Sequence, residues 1–149
     1  MKNALIIIQL QMVFLLLTSF HKKEEPKPAL TIRVNNLRNS NGVVQYTLYT
    51  TPDGFPDEHY KKYYRKSTAK IENGNSELTF QNLPAGKYAV NILHDEDSNG
   101  KIKKGLLLPK EGIGFSNYQS IGISNRPVFQ KASFELLDDL KMNVRIIYF

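Results

Sequence analysis

The chain has no cysteine and no tryptophan, and only three histidines in 149 residues. Without cysteine there is no disulfide, no thiolate metal site, no cysteine nucleophile and no acceptor for lipid attachment through a lipobox. The histidines, His21, His59 and His94, are scattered, which gives zinc little support. No apolar run reaches the roughly 20 residues that a spanning helix needs. A domain built this way must be held together by its core, helped at most by a hard cation.

The N-terminus carries a distinct pattern. Met1-Lys2-Asn3 is a short basic start, and Ala4 to Leu17 is apolar apart from Gln9 and Gln11. Thr18-Ser19-Phe20 and a polar run from His21 to Pro28 follow. That order predicts a secretory signal peptide over 1–20, a charged and proline-containing linker over 21–28, and one domain over 29–149. The expected location is periplasmic or extracellular, with no stable transmembrane span after cleavage.

The formal charge is +6. Much of it gathers in Lys61, Lys62, Arg65, Lys66 and Lys70, interleaved with Tyr60, Tyr63 and Tyr64. Basic and aromatic residues together can bind nucleic acid. A solvated basic face is the commoner meaning, and export turns the reading away from nucleic acid. The partners that fit such a face are an anionic glycan or the envelope surface.

From Ala29 onward the periodicity is that of strands. Leu30, Ile32 and Val34 alternate with Thr31 and Arg33, and Val44, Tyr46 and Leu48 share one face of the next segment. Asn41-Gly42 between them reads as a hairpin turn. Further strands are expected over 67–71, 77–80, from Tyr88 through Val90 and Ile92, over 127–136 and over 140–149. Leu83-Pro84-x-Gly86-x-Tyr88 has the form of a tyrosine corner, in which the phenol bonds back to nearby backbone. The fold class predicted is all-β, a seven-stranded Greek-key sandwich of immunoglobulin or transthyretin-like character. The stretch from Asp95 to about Gly122 reads as one long loop, and loops of that length are usually functional.

That loop holds the chemistry-bearing residues. Asp95, Asp97 and Asn99 place oxygens at alternate positions before Gly100. Calcium takes six to eight such ligands, and the Lys101 carbonyl would be the next, giving a tentative Ca²⁺ set of Asp95, Asp97, Asn99 and Lys101. Glu111 could complete it from further along, while Lys103 and Leu106 occupy positions where ligands are wanted. The competing meaning is a plain Asp/Asn/Gly turn. His94, Glu111, Phe115, Ser116 and Asn117 are the candidates for contacting a ligand. His94 shares the inward parity of Ile92, which favours a histidine at the core edge over a catalytic one. Ser116 lacks the Gly-x-Ser-x-Gly elbow of a hydrolase nucleophile. Gly112-x-Gly114 lacks the setting of a dinucleotide fingerprint.

Three motifs in order carry a resemblance: Leu83-Pro84-x-Gly86-x-Tyr88-Ala89-Val90, His94-Asp95-x-Asp97-x-Asn99-Gly100-Lys101, and Pro109-Lys110-Glu111-Gly112-x-Gly114-Phe115-Ser116-Asn117. Through them the chain resembles the bacterial domain-of-unknown-function family number 2141. The resemblance implies a small exported β-sandwich and says almost nothing about activity. It also marks a departure, since Lys103 and Lys104 stand where the family commonly has an Asp, and positive charge there works against a cation. The function expected is a non-catalytic exported module binding a ligand or Ca²⁺ through the 95–117 loop. The alternatives are a structural or assembly component of the envelope, and a hydrolase using His94, Asp95 and Glu111.

Overall fold

The computed structural model describes residues 26–57, 59–105 and 108–149. The signal-peptide reading of 1–20 and the first part of the linker lie outside them. Eight strands and one helical turn are found among the described residues. They are β1 (Leu30–Val34), β2 (Val43–Tyr49), β3 (Arg65–Ala69), β4 (Ser76–Phe80), β5 (Gly86–Asp95), β6 (Gly112–Phe115), α1 (Phe129–Ala132), β7 (Phe134–Leu136) and β8 (Leu140–Asn143). One sheet has the order β4-β1-β8, the other β3-β2-β5-β6, with β7 beside the start of β5. The pairings are antiparallel except β1 with β8, which is parallel.

The expected two-sheet β architecture is present, with two corrections. The strand count is eight rather than seven: the stretch read as loop contains β6, and 127–136 divides into α1 and β7. Asn41-Gly42 does not join a hairpin, because β1 and β2 lie in different sheets. The segment between them crosses the sandwich edge instead, with Leu37 buried and its N–H donating to the Gly74 carbonyl (2.9 Å). Gly42 has a left-handed φ of 67°, and a Cβ there would lie 1.9 Å from the Asp95 carbonyl oxygen. Its glycine is required by close approach to the end of β5 as well as by the turn.

The main core lies between the sheets. Alternation places Leu30, Ile32 and Val34 of β1, Val44, Tyr46 and Leu48 of β2, and Val90 and Ile92 of β5 in one cluster. The tyrosine corner forms: Tyr88 Oη donates to the Pro84 carbonyl (2.7 Å). A second cluster covers the opposite face of the β2–β5 sheet, built from Tyr49, Tyr60, Ala89, Leu93, Ile113, Phe115, Tyr118, Phe129 and Ala132. β2 and β5 are therefore buried on both faces, although their sequences alternate like half-exposed strands.

Chain crosses between the two sheets at both edges of the sandwich. At one edge the turn over 72–75 carries the chain from β3 to β4. At the other the tail beyond β8 leaves the first sheet, and Ile147 and Ile113 of β6 exchange hydrogen bonds (2.8 and 3.0 Å). Alternate glycines on β6 admit that tail. A Cβ on Gly112 would meet the Tyr148 ring at 2.4 Å and Ile146 Cγ2 at 2.6 Å, and one on Gly114 would meet the Arg145 carbonyl at 2.5 Å. Gly112-x-Gly114 is thus a packing device. Gly112→Ala should lower stability by about 1–3 kcal/mol, the usual penalty for overpacking. Gly122→Ala, where nothing lies within 4 Å, should change it by less than about 0.5 kcal/mol. Urea unfolding of both variants checks this, and equal midpoints would show that the tail yields.

Candidate ligand cleft and acidic loop

The excursion from Asp95 to Glu111 is held by its own side chains. Asp95 ends β5, is buried, and its carboxylate accepts the N–H groups of Asn99 (3.0 Å) and Gly100 (2.7 Å). Asn99 Oδ1 accepts the Lys101 N–H (2.7 Å), closing an Asx turn. Glu111, just before β6 and 1% exposed, accepts the N–H groups of Glu96 (3.1 Å) and Lys103 (2.7 Å). The two limbs of the excursion also bond to each other, Lys110 N–H donating to Lys103 O and Gly105 N–H to Leu108 O (2.8 Å each). Burial raises the Glu111 carboxyl above its ordinary range, the two N–H bonds oppose that, and the charges of Asp97 and Asp95 reinforce it.

One oxygen each of Asp95, Asp97 and Glu111 lie within 4.8 Å of one another. Of the set read from sequence, Asp95 and Asp97 come together, and the carboxylate that joins them is Glu111. Asn99 directs its oxygen to the turn. Asp97 is exposed and pairs with Lys103 Nζ (3.2 Å), so the lysine supplies positive charge at the cluster.

The ligand candidates separate. His94 is fully buried, with Nε2 donating to the Asn41 carbonyl (3.0 Å) and Nδ1 hydrogen-bonded to Tyr148 Oη (2.7 Å). Ser116 Oγ donates to the Ala132 carbonyl (2.6 Å) and accepts the Val90 N–H (2.9 Å). Asn117, at φ 63°, donates to the carbonyls of Lys131, Ala132 and Ser133 and so caps α1. These three residues fasten layers to each other. Phe115 instead faces the second cluster, edge-on to Phe55 and Tyr118.

Phe115 also lines a cleft of about 400 Å³ between the excursion and the outer face of the β2–β5 sheet. Its apolar walls include Ile102, Leu108, Ile113 and Ile121, and Asn91 of β5 lies among them. Asn91 is 1% exposed, and its carboxamide lies within hydrogen-bonding reach of the Tyr49 and Tyr60 hydroxyls. On the same sheet face, Gln45 Nε2 and Thr47 Oγ1 are buried and make no hydrogen bond. Thr47 is the direct cross-strand neighbour of Asn91, so the two share a face. Sequence reasoning missed Asn91 and these neighbours, because a polar residue between Val90 and Ile92 reads as solvent-facing. The signal available was Ala89 and Leu93, apolar on the same parity.

Arg38 clasps the excursion at its base. Its guanidinium donates to both Glu96 carboxylate oxygens (2.7 and 2.8 Å) and to the Lys110 carbonyl (2.8 Å), and lies 4.6 Å from the Tyr148 ring centre. Bonding to Arg38 pushes the Glu96 carboxyl down to about 2, with Asn39 adding a further bond. A carboxyl depressed in the folded state contributes stability above its unfolded value, and loses it as pH falls through the folded one. Glu96→Gln should therefore flatten the stability profile between pH 5 and 2, by about 1–2 kcal/mol after allowing for solvent screening at the partly exposed guanidinium. Unfolding midpoints across that range check it, and parallel profiles for variant and wild type would refute the clasp.

Residues 32–145 match a family model described as an uncharacterized protein conserved in bacteria, DUF2141. No curated protein and no solved structure matches. The matched span includes the acidic loop and every residue that lines the cleft, and the chain belongs to this bacterial family.

Proposed function

We propose that the protein is an exported, non-catalytic binding domain that takes a small ligand in the cleft beneath the 95–111 excursion. The observation that carries this is a cleft of about 400 Å³ whose walls are the apolar side chains of Ile102, Leu108, Ile113, Phe115 and Ile121. Largely apolar pockets of roughly 300–1,000 Å³ with a few convergent polar groups are where small molecules bind. The non-catalytic part of the reading is supported by His94 and Ser116, whose polar atoms are occupied by structural bonds. Export is supported by the apolar N-terminal run.

The test is a ¹H–¹⁵N NMR titration with small aromatic and aliphatic fragments. Backbone shifts should gather on Ile102, Ile113, Phe115 and Ile121. Leu108→Arg, a change at an exposed wall residue, should weaken binding about tenfold, equivalent to about 1.4 kcal/mol. No binding, or shifts gathered elsewhere, overturns the reading.

A second reading, a weak cation site, is favoured by the 4.8 Å clustering of Asp95, Asp97 and Glu111. Oxygens at about 2.3–2.6 Å from one Ca²⁺ fall within such a spread. Lys103 and the bonds already made to Asp95 and Glu111 place it at the weak end, with a Kd of about 10⁻⁴–10⁻³ M. At tenfold excess over Kd, Ca²⁺ should add about 1.4 kcal/mol of stability, and Asp97→Ala should abolish the gain. Thermal unfolding in EDTA and in millimolar Ca²⁺ decides it. An unmoved midpoint leaves the cluster as a loop staple.

A further inference from the structure

We propose that the two loops bordering the cleft dock on an anionic lipid surface. Leu108 and Ile123 enter the interface, and the basic residues around them meet the lipid phosphates. This does not depend on what the cleft itself binds. The excursion contributes Leu108 and Pro109 to the cleft wall, and the segment after β6 contributes Ile121 and Pro127. Both loops also turn aliphatic side chains out to solvent. Leu108 is 54% exposed, Val128 47% and Ile123 91%. Ile123 stands in a turn closed by the Asn125 N–H on the Gly122 carbonyl (3.1 Å), a place where small polar residues are usual. Apolar side chains gathered on two loops beside one apolar cleft form a patch, and such patches mark protein or membrane contacts.

The charge around the patch selects between those two. From Ser98 to Phe134 the sequence holds six basic residues, Lys101, Lys103, Lys104, Lys110, Arg126 and Lys131, against one acid, Glu111. All six are exposed, whereas Glu111 is buried among backbone N–H groups. Asp97, just before this stretch, offsets Lys103, and the stretch as a whole remains strongly basic. Aliphatic tips within a basic collar suit an anionic bilayer twice over: the tips leave water, and the cations gain from the negative surface potential. A fluid lipid layer also closes around separate tips, whereas a protein partner would need a fitted surface of about 1,000 Å² or more. Leu137 is the contrasting case. It is 68% exposed, but Asp138 and Asp139 follow it, and it adjoins the strand beside the start of β5, whereas the excursion leaves from the end of β5.

The chain has no tryptophan, so Ile123→Trp and Leu137→Trp each install a single fluorescent reporter. Full-chain protein is mixed with vesicles of phosphatidylglycerol and phosphatidylcholine in equal parts, or of phosphatidylcholine alone. With the anionic vesicles, Ile123→Trp emission should shift to the blue and be quenched by brominated acyl chains. With the neutral vesicles it should not change, and Leu137→Trp should respond to neither. Added to Ile123→Trp, each of Leu108→Ser, Lys110→Gln and Arg126→Gln should raise the lipid concentration at half-shift about fivefold. An unchanged urea midpoint shows that these surface variants are folded. Equal response at both reporters means contact through another part of the chain and overturns the proposal. So do equal response to both vesicle types, a half-shift that none of the three substitutions moves, and no response from Ile123→Trp at all.

Discussion

Burial of β5 on both faces is the constraint from which the rest of the molecule follows. One face of this strand supplies Tyr88, Val90, Ile92 and His94 to the sandwich interior, and the other supplies Ala89, Asn91 and Leu93 to a second layer. A strand with apolar groups on both sides needs cover on both sides. The first sheet covers one, and the segments around Tyr60 and from Ile102 to Ala132 cover the other. Irregular chain cannot seal a sheet as closely as another sheet does, because its backbone groups must also be satisfied. The cleft lies at that imperfect seam.

The fastenings of the outer layer are mostly side chains bonded to backbone. Asp95 and Glu111 gather four N–H groups of the excursion, and Ser116 and Asn117 tie β6 to α1. Arg38 joins the base of the excursion to the chain before β2. A buried carboxylate is tolerated where it accepts several N–H bonds. Asp95 and Glu111 therefore already do, without an ion, much of the ordering that a metal would perform in an acidic loop. Lys103 stands beside them, and its ammonium balances charge at the cluster. A cation would compete for oxygens that are part of the fold.

The strands of the main core were legible because one face of each is strictly apolar over four to eight residues. The tyrosine corner was legible for a related reason: Pro84, Gly86 and Tyr88 specify it within six residues of chain. β6 was not, since Gly112-Ile113-Gly114 has no alternation of its own and is made a strand by the tail that packs on its glycines. The supposed hairpin at Asn41-Gly42 misled because turn chemistry specifies a reversal and not the sheet in which the chain continues. Within the loop, Asp95, Asp97 and Glu111 could be read as oxygen ligands, but their bonds to distant N–H groups depend on how the excursion folds back.

By itself the sequence determined the β class, the inward set of β1, β2 and β5, the corner at Tyr88 and the acidic character of the loop. Each is a matter of local period or of residues near in chain. Only the tertiary structure decided which sheet each strand joins, that Gly112 and Gly114 admit the C-terminal tail, and that Asn91 is buried at the wall of a cleft. The physical reason is that burial belongs to a surface and not to a residue. The outer face of β5 becomes interior only when chain some 25 to 40 positions onward, from Phe115 to Ala132, folds across it.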